Sequence, residues 1–181
     1  MPKQDKEFFS NVANCYAFAA KCATPTNGSA GKQARPGGHS STGNAGTDAV
    51  AFAAGVVTDG GARVNQLGSF SVNAFVVGNI PQARADWYLI AMLVKSDGFH
   101  FVRRQRKSAC GTPFWKWKQG NPGLVERNAF DPNTNDWIRV TDAQFARLVK
   151  NQLGTDGPGY GGWELIYFFE VQKAGFTVTA S

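Results

Sequence analysis

Apolar and small residues recur at three- and four-residue spacing at Phe8, Val12, Cys15, Ala19 and Cys22, which predicts a first helix over 8–22 with Ser10 or Asn11 as candidate caps. Thr47 and Asp48 cap a second predicted helix, Ala49 to Val57, that Asp59-Gly60-Gly61 ends. Val64 to Gly78 mixes short apolar stretches with Asn and Gly and reads as strand or irregular. Trp87 to Val94 is continuously apolar and rich in strand formers, as a strand buried on both faces requires. Ser96-Asp97-Gly98 turns the chain, and Phe99 to Arg104 follows as the partner strand of a hairpin. Along that strand His100, Val102 and Arg104 share one face, and Phe99, Phe101 and Arg103 share the other.

Phe114 to Lys118 alternates aromatic and cationic residues and predicts a third antiparallel strand with Lys116 and Lys118 exposed. Thr141-Asp142-Ala143-Gln144 has capping-box order, and Phe145, Leu148, Val149 and Leu153 follow on one helical face up to Gly154. Trp163 to Val171 reads as another buried strand. These elements predict an α+β fold, a Cys-bearing N-terminal helix packed on an antiparallel sheet built from 87–95, 99–104, 114–118 and 163–171.

With 181 residues, the chain is expected to form a single domain over 1–181, because two independent cores would each be small. Residues 23–46 are rich in Gly, Pro and Ser and predict a long loop, either a flexible surface segment or one wrapped over a site. No internal repeat is visible.

The formal charge of +6 favours loose contact with anionic surfaces without identifying one. Arg103-Arg104-Gln105-Arg106-Lys107 reads as a solvated loop, so nucleic acid is not an expected partner. The N-terminal residues lack the apolar stretch of a Sec signal, and no run is long enough to cross a bilayer. The three cysteines, Cys15, Cys22 and Cys110, lack paired zinc spacing; no metal and no cofactor are expected, and the thiols read as reduced.

Cys15 opens an apolar run, and His100 lies in a strand. A thiol at a helix start is held as thiolate by the helix dipole, and an imidazole completes the activation. Amide hydrolysis also needs oxyanion donors, which helix-start N–H groups or the side chains of Asn11 and Asn14 can supply. Against this stands the plainer reading, in which Cys15 is core filler, His100 is structural and the two asparagines only cap the helix.

Asn14-Cys15-Tyr16-Ala17-Phe18-Ala19, Ala34-Arg35-Pro36-Gly37-Gly38-His39-Ser40, Asp97-Gly98-Phe99-His100-Phe101-Val102-Arg103-Arg104 and Trp115-Lys116-Trp117-Lys118-Gln119-Gly120 occur in that order. The order resembles a group in the papain-like superfamily that includes NlpC-type cell-wall amidases, deamidases and bacterial toxins or effectors, over roughly residues 11–135. The resemblance implies a papain-like fold, a Cys15 nucleophile forming a thioester, and His100 as general base. Trp117 stands where such sequences can show a histidine, so the residue orienting His100 must come from elsewhere. Asn128 and Asp131 are the candidates, with Asp142 weaker because helix capping already explains it. Pro36, Gly37 and His39 belong to the expected substrate loop; His39 lines the cleft or faces solvent.

The implied activity is cysteine-dependent hydrolysis of a peptide or protein amide, in a peptidoglycan peptide or a Gln or Asn side chain of a target protein, by a peptidase, amidase or deamidase. A toxin or effector of this type implies an immunity or inhibitor protein as partner. It would be cytoplasmic in the producing cell, then exported by a dedicated secretion system or delivered to another cell. The competing reading is a non-catalytic binding protein, or a phage or assembly protein, on a similar scaffold with a basic, Trp-rich face.

Overall fold

A computed structural model describes residues 14–22, 25–26, 34–38, 49–96, 98–106, 113–117, 130–131, 136–137, 140–151 and 162–179. Helix α1 runs Cys15–Ala20, α2 Ala49–Gly60 and α3 Asp142–Asn151. The strands are β1 Val64–Ser71, β2 Trp87–Lys95, β3 Gly98–Arg106, β4 Pro113–Lys116, β5 Phe130–Asp131, β6 Asp136–Trp137 and β7 Leu165–Gln172. The fold is α+β. Its centre is a five-stranded antiparallel sheet in the order β1-β7-β2-β3-β4, with β5 and β6 in a separate two-stranded ribbon.

The continuous apolar runs of β2 and β7 follow from their places inside the sheet, where helices cover one face and α3 with its neighbours covers the other. On the first face Tyr16, Phe18 and Phe52 pack against Ile90, Met92, Phe101 and Phe169. On the second, Phe75, Trp115 and Phe145 pack against Leu89, Ala91, Leu93, Val102 and Phe168. Trp115 stacks on Phe145 with ring centroids 4.0 Å apart, which seats α3 against β4.

Local signals set several boundaries. The capping box forms at α3, with Thr141 N–H donating to Gln144 Oε1 at 2.8 Å and Gln144 N–H to Thr141 Oγ1 at 3.3 Å. The segment read as strand or irregular forms β1, an edge strand paired to β7. The first helix is shorter than its periodicity suggests. It ends at Ala20 because Lys21 takes a left-handed backbone (φ 57°), with Lys21 N–H donating to Phe18 O and Cys22 N–H to Ala17 O. Cys22 therefore lies beyond the helix; residues 8–13 and the predicted caps Ser10, Asn11, Thr47 and Asp48 lie outside the described residues.

Two expectations about charge are corrected. The basic run expected in a solvated loop continues β3 to Arg106, and Arg103 and Arg104 are buried. Lys116, expected to be exposed, is also buried, because β4 pairs it with Arg103 on the α1 face. There the cations of Arg103 and Lys116 lie 4.3 and 5.7 Å from the Phe18 ring centroid. Among the described residues no helix is long and apolar enough to cross a membrane.

Candidate functional site

Asn14 caps α1 and places Cys15 at its first position. The Asn14 side-chain oxygen accepts from Ala17 N–H at 3.0 Å, and its Nδ2 donates to Ala34 O at 2.7 Å. Both ends of this amide are engaged, which assigns Asn14 to capping and to tying Ala34, two residues before Pro36, to the helix start. Cys15 is buried, at 4% exposure, in the core formed by α1 and α2 on the sheet.

Pro36 and Gly37 stand beside this helix. They form a 3-10 turn, Pro36–Gly38, in which Gly37 has φ 66°, a backbone that glycine adopts without strain. Gly37 N–H and the Tyr16 hydroxyl donate to the same Asp59 oxygen, at 2.9 and 2.7 Å, so one carboxylate joins the Pro-Gly turn, α1 and α2. Burial, then the neighbouring Asp59 charge, raises the Tyr16 pKa well above that of an ordinary phenol.

His100 does not meet Cys15. Phe101 lies 4.6 Å from Tyr16, Phe99 lies 5.2 Å from Phe52, and Arg103 donates to Phe18 O at 3.0 Å, so the odd-numbered side chains of β3 face α1 and α2. His100 points the other way. It pairs with Leu93 across the strands and stacks against Trp163 at 6.2 Å. The sheet thus separates thiol from imidazole, whereas proton transfer between them needs hydrogen-bond reach. The expectation that His100 serves Cys15 as base is corrected on this ground: strand alternation was legible, but α1 covers the opposite face. Burial pushes the His100 pKa down to about 4, and its Nε2 has no hydrogen-bond partner among the described residues.

The remaining candidates are dispersed. Asp131 belongs to β5 and pairs with Asp136 in the separate ribbon. Trp117 is half-buried and packs against the cores on both faces of the sheet. Asp142 accepts from Arg104 and from Trp115 Nε1, at 2.8 Å for the indole. Asn11, His39 and Asn128 lie outside the described residues. Among the described residues no cluster of three or more His, Cys, Asp or Glu has the arrangement to hold a metal ion.

Sequence reasoning missed a cleft of about 350 Å³ at the far end of α1 from Cys15. Lys21, Arg103 and Lys173 line it together with Asp86, Trp87 and Tyr88; Arg104 also reaches it while held by Asp142. Lys21 Nζ donates to Lys173 O at 2.6 Å and lies 4.2 Å from the Tyr88 ring centroid, while the Tyr88 hydroxyl donates to Ala19 O. Lys21 and Asp86 are the two described non-glycine residues with positive φ, 57° and 62°, and both stand in the cleft wall. Backbone held in this region is costly and recurs where a fold presents side chains for function. The sequence signal was the Arg103-Arg104 pair, which charge counting alone sent to solvent.

No protein-family model matches this chain, and no curated protein and no solved structure matches it.

Proposed function

We propose that this chain is a binding protein that takes a small anionic ligand into the cleft between the end of α1 and the start of β2, without covalent chemistry on Cys15. The cleft carries the reading: among the described residues its lining brings together the cations Lys21, Arg103, Arg104 and Lys173, the carboxylate of Asp86 and the rings of Trp87 and Tyr88. Its aromatic wall and size fall within the range of small-molecule sites, about 300–1,000 Å³. Separation of Cys15 from His100 by the sheet favours this reading over the Cys15–His100 hydrolase. The test is a thermal-shift panel of small anions and neutral analogues at constant ionic strength. Anions are expected to raise the melting temperature equally in the wild type and in Cys15→Ala; stabilisation that vanishes with the thiol would overturn the proposal.

A second reading rests on the bond from Asn14 Nδ2 to Ala34 O, 2.7 Å, which ties the Pro-Gly segment to the helix start that bears Cys15. In a papain-like cysteine hydrolase of this arrangement, the base is not His100 but the chain's other histidine, His39, which directly follows Gly38 in sequence. Its substrate remains a peptide or protein amide. Mass-spectrometric detection of hydrolysed or deamidated products from peptidoglycan fragments or lysate, abolished by Cys15→Ala and by His39→Ala but not by His100→Leu, is the result this reading requires.

A further inference from the structure

Resting on the cleft reading above, we infer that the anionic group taken there is the carboxylate of a free amino acid, received by Lys173, while Asp86 receives the α-ammonium and Trp87 the side chain. Asp86 stands just before β2 and Lys173 just after β7, and Lys173 N–H donates to Asp86 O at 3.0 Å, so the two are neighbours across paired strand ends. Both line the cleft. Their charges are opposite, yet among the described residues no ion pair or side-chain hydrogen bond joins either one to the other or to a third group. A carboxylate and an ammonium set side by side without closing on each other match a ligand that carries the same two charges on one carbon.

Both residues stand on fixed backbone. Asp86 has φ 62° in a turn closed by Trp87 N–H donating to Arg84 O at 3.1 Å. Glycine would meet that backbone without steric cost, and would remove the carboxylate from the cleft wall. Lys173 begins a turn in which Gly175 N–H donates to Gln172 O at 2.8 Å, and its own carbonyl accepts from Lys21 Nζ at 2.6 Å. Supports of this kind keep two opposite charges on a set base, which is what reading an ammonium beside a carboxylate requires.

Trp87 continues the same wall. Arg84, paired with Glu170 at 2.7 Å, lies 3.9 Å from the centroid of the Trp87 ring and steadies the indole. The half-buried ring thus offers apolar surface directly beside Asp86. The volume, about 350 Å³, sits at the small end of ligand sites and suits one amino acid rather than a longer peptide. A ligand without the ammonium leaves the Asp86 carboxylate against an unmatched group, so the site discriminates by what the analogue lacks.

The experiment titrates the purified protein, by calorimetry and by Trp fluorescence at neutral pH and constant ionic strength, with L-phenylalanine, L-leucine and L-glutamate. Each is also supplied as its N-acetyl and its α-carboxamide form, and acetate is included. The expected result is saturable binding of at least one free amino acid, weakened tenfold or more by N-acetylation, by amidation, in Asp86→Asn and in Lys173→Met. Asparagine tolerates the left-handed backbone, so Asp86→Asn removes the charge and keeps the turn. The N-acetyl form should lose nothing further in Asp86→Asn, because the ammonium that Asp86 reads is already gone. Equal affinity for free and N-acetyl forms, or a free form indifferent to Asp86→Asn, would overturn the amino-acid assignment and leave the anion cleft standing. Binding indifferent to Lys173→Met would overturn the placement of the carboxylate, and no binding of any anion would remove the cleft reading itself.

Discussion

Arg104 grips Asp142 through two hydrogen bonds, Nε to Oδ1 at 2.9 Å and Nη2 to Oδ2 at 2.6 Å, and so joins β3 to the first turn of α3. The indole of Trp115 donates to the same carboxylate at 2.8 Å, so three elements meet on one side chain. Arg104 is nearly buried, with 8% of its side chain exposed, whereas Asp142 keeps 28%. Removing the carboxylate leaves a charged group and an indole N–H short of their partner. Asp142→Ala is expected to cost about 2–3 kcal/mol by urea unfolding, and Arg104→Met added to it should recover part of that loss. A double mutant no more stable than Asp142→Ala would show that the pair is not coupled.

His100 makes stability depend on pH in a defined window. Its folded pKa, pushed down to about 4, lies below the ordinary 6.5, so between these values the unfolded chain binds a proton that the native protein does not. Stability is therefore retained above pH 6.5 and lost as pH falls toward 4, by up to about 3 kcal/mol. Carboxylates titrate in the same range, so the check is the difference between wild type and His100→Leu. The variant should show a shallower decline from pH 6.5 to pH 4.

A methyl group at Gly55 of α2 would stand 2.6 Å from the Pro36 carbonyl carbon and 2.7 Å from Gly37 N. Both are backbone atoms of the turn that Asp59 holds, so they cannot swing aside. Although alanine favours helix by about 1 kcal/mol, the overlap should win, and Gly55→Ala is expected to lower stability by about 1–3 kcal/mol. Gly98→Ala is the control. Among the described residues its new methyl meets only the Lys95 side chain, at 3.7 Å, and the expected change stays within about 0.5 kcal/mol.

Cys15 is buried and Cys22 only partly so. In a Cys110→Ser background, iodoacetamide should modify Cys22 faster than Cys15 under native conditions, with the difference lost in denaturant. Mass spectrometry of the two peptides reads both rates. Preferential reaction of Cys15 at mildly acidic pH would mark an activated thiolate and favour the cysteine-hydrolase reading.

Glu170 adds a second acid-side dependence. Burial works to raise its pKa, but hydrogen bonds from Arg84 N–H and Asn65 and the Arg84 charge outweigh it, and the net shift is downward. A depressed carboxylate contributes stability present above its unfolded pKa and lost as pH falls through the folded one. Glu170→Gln should therefore narrow the stability gap between pH 6 and pH 3, measured by thermal unfolding against the wild type.

Much of the architecture was legible because it rests on local steric rules. The continuous apolar runs of β2 and β7, the Ser96-Asp97-Gly98 turn signal and the capping box of α3 each depend on a few consecutive residues. The alternation that separates His100 from Phe99 and Phe101 is of the same kind, since successive strand side chains point to opposite faces. Which face α1 would cover is a different matter. It depends on the packing of Tyr16 and Phe18 against Phe101 and Arg103, residues far apart in the chain, and tertiary structure put the helix opposite His100. The same non-local packing buried Arg103, Arg104 and Lys116, which charge and periodicity assign to solvent, because aromatic rings, carbonyls and Asp142 receive them only in the fold. The sequence by itself determined periods, turns and caps. Tertiary structure decided which faces meet, and with them the separation of Cys15 from His100 and the gathering of Lys21, Arg103 and Lys173 around one cleft.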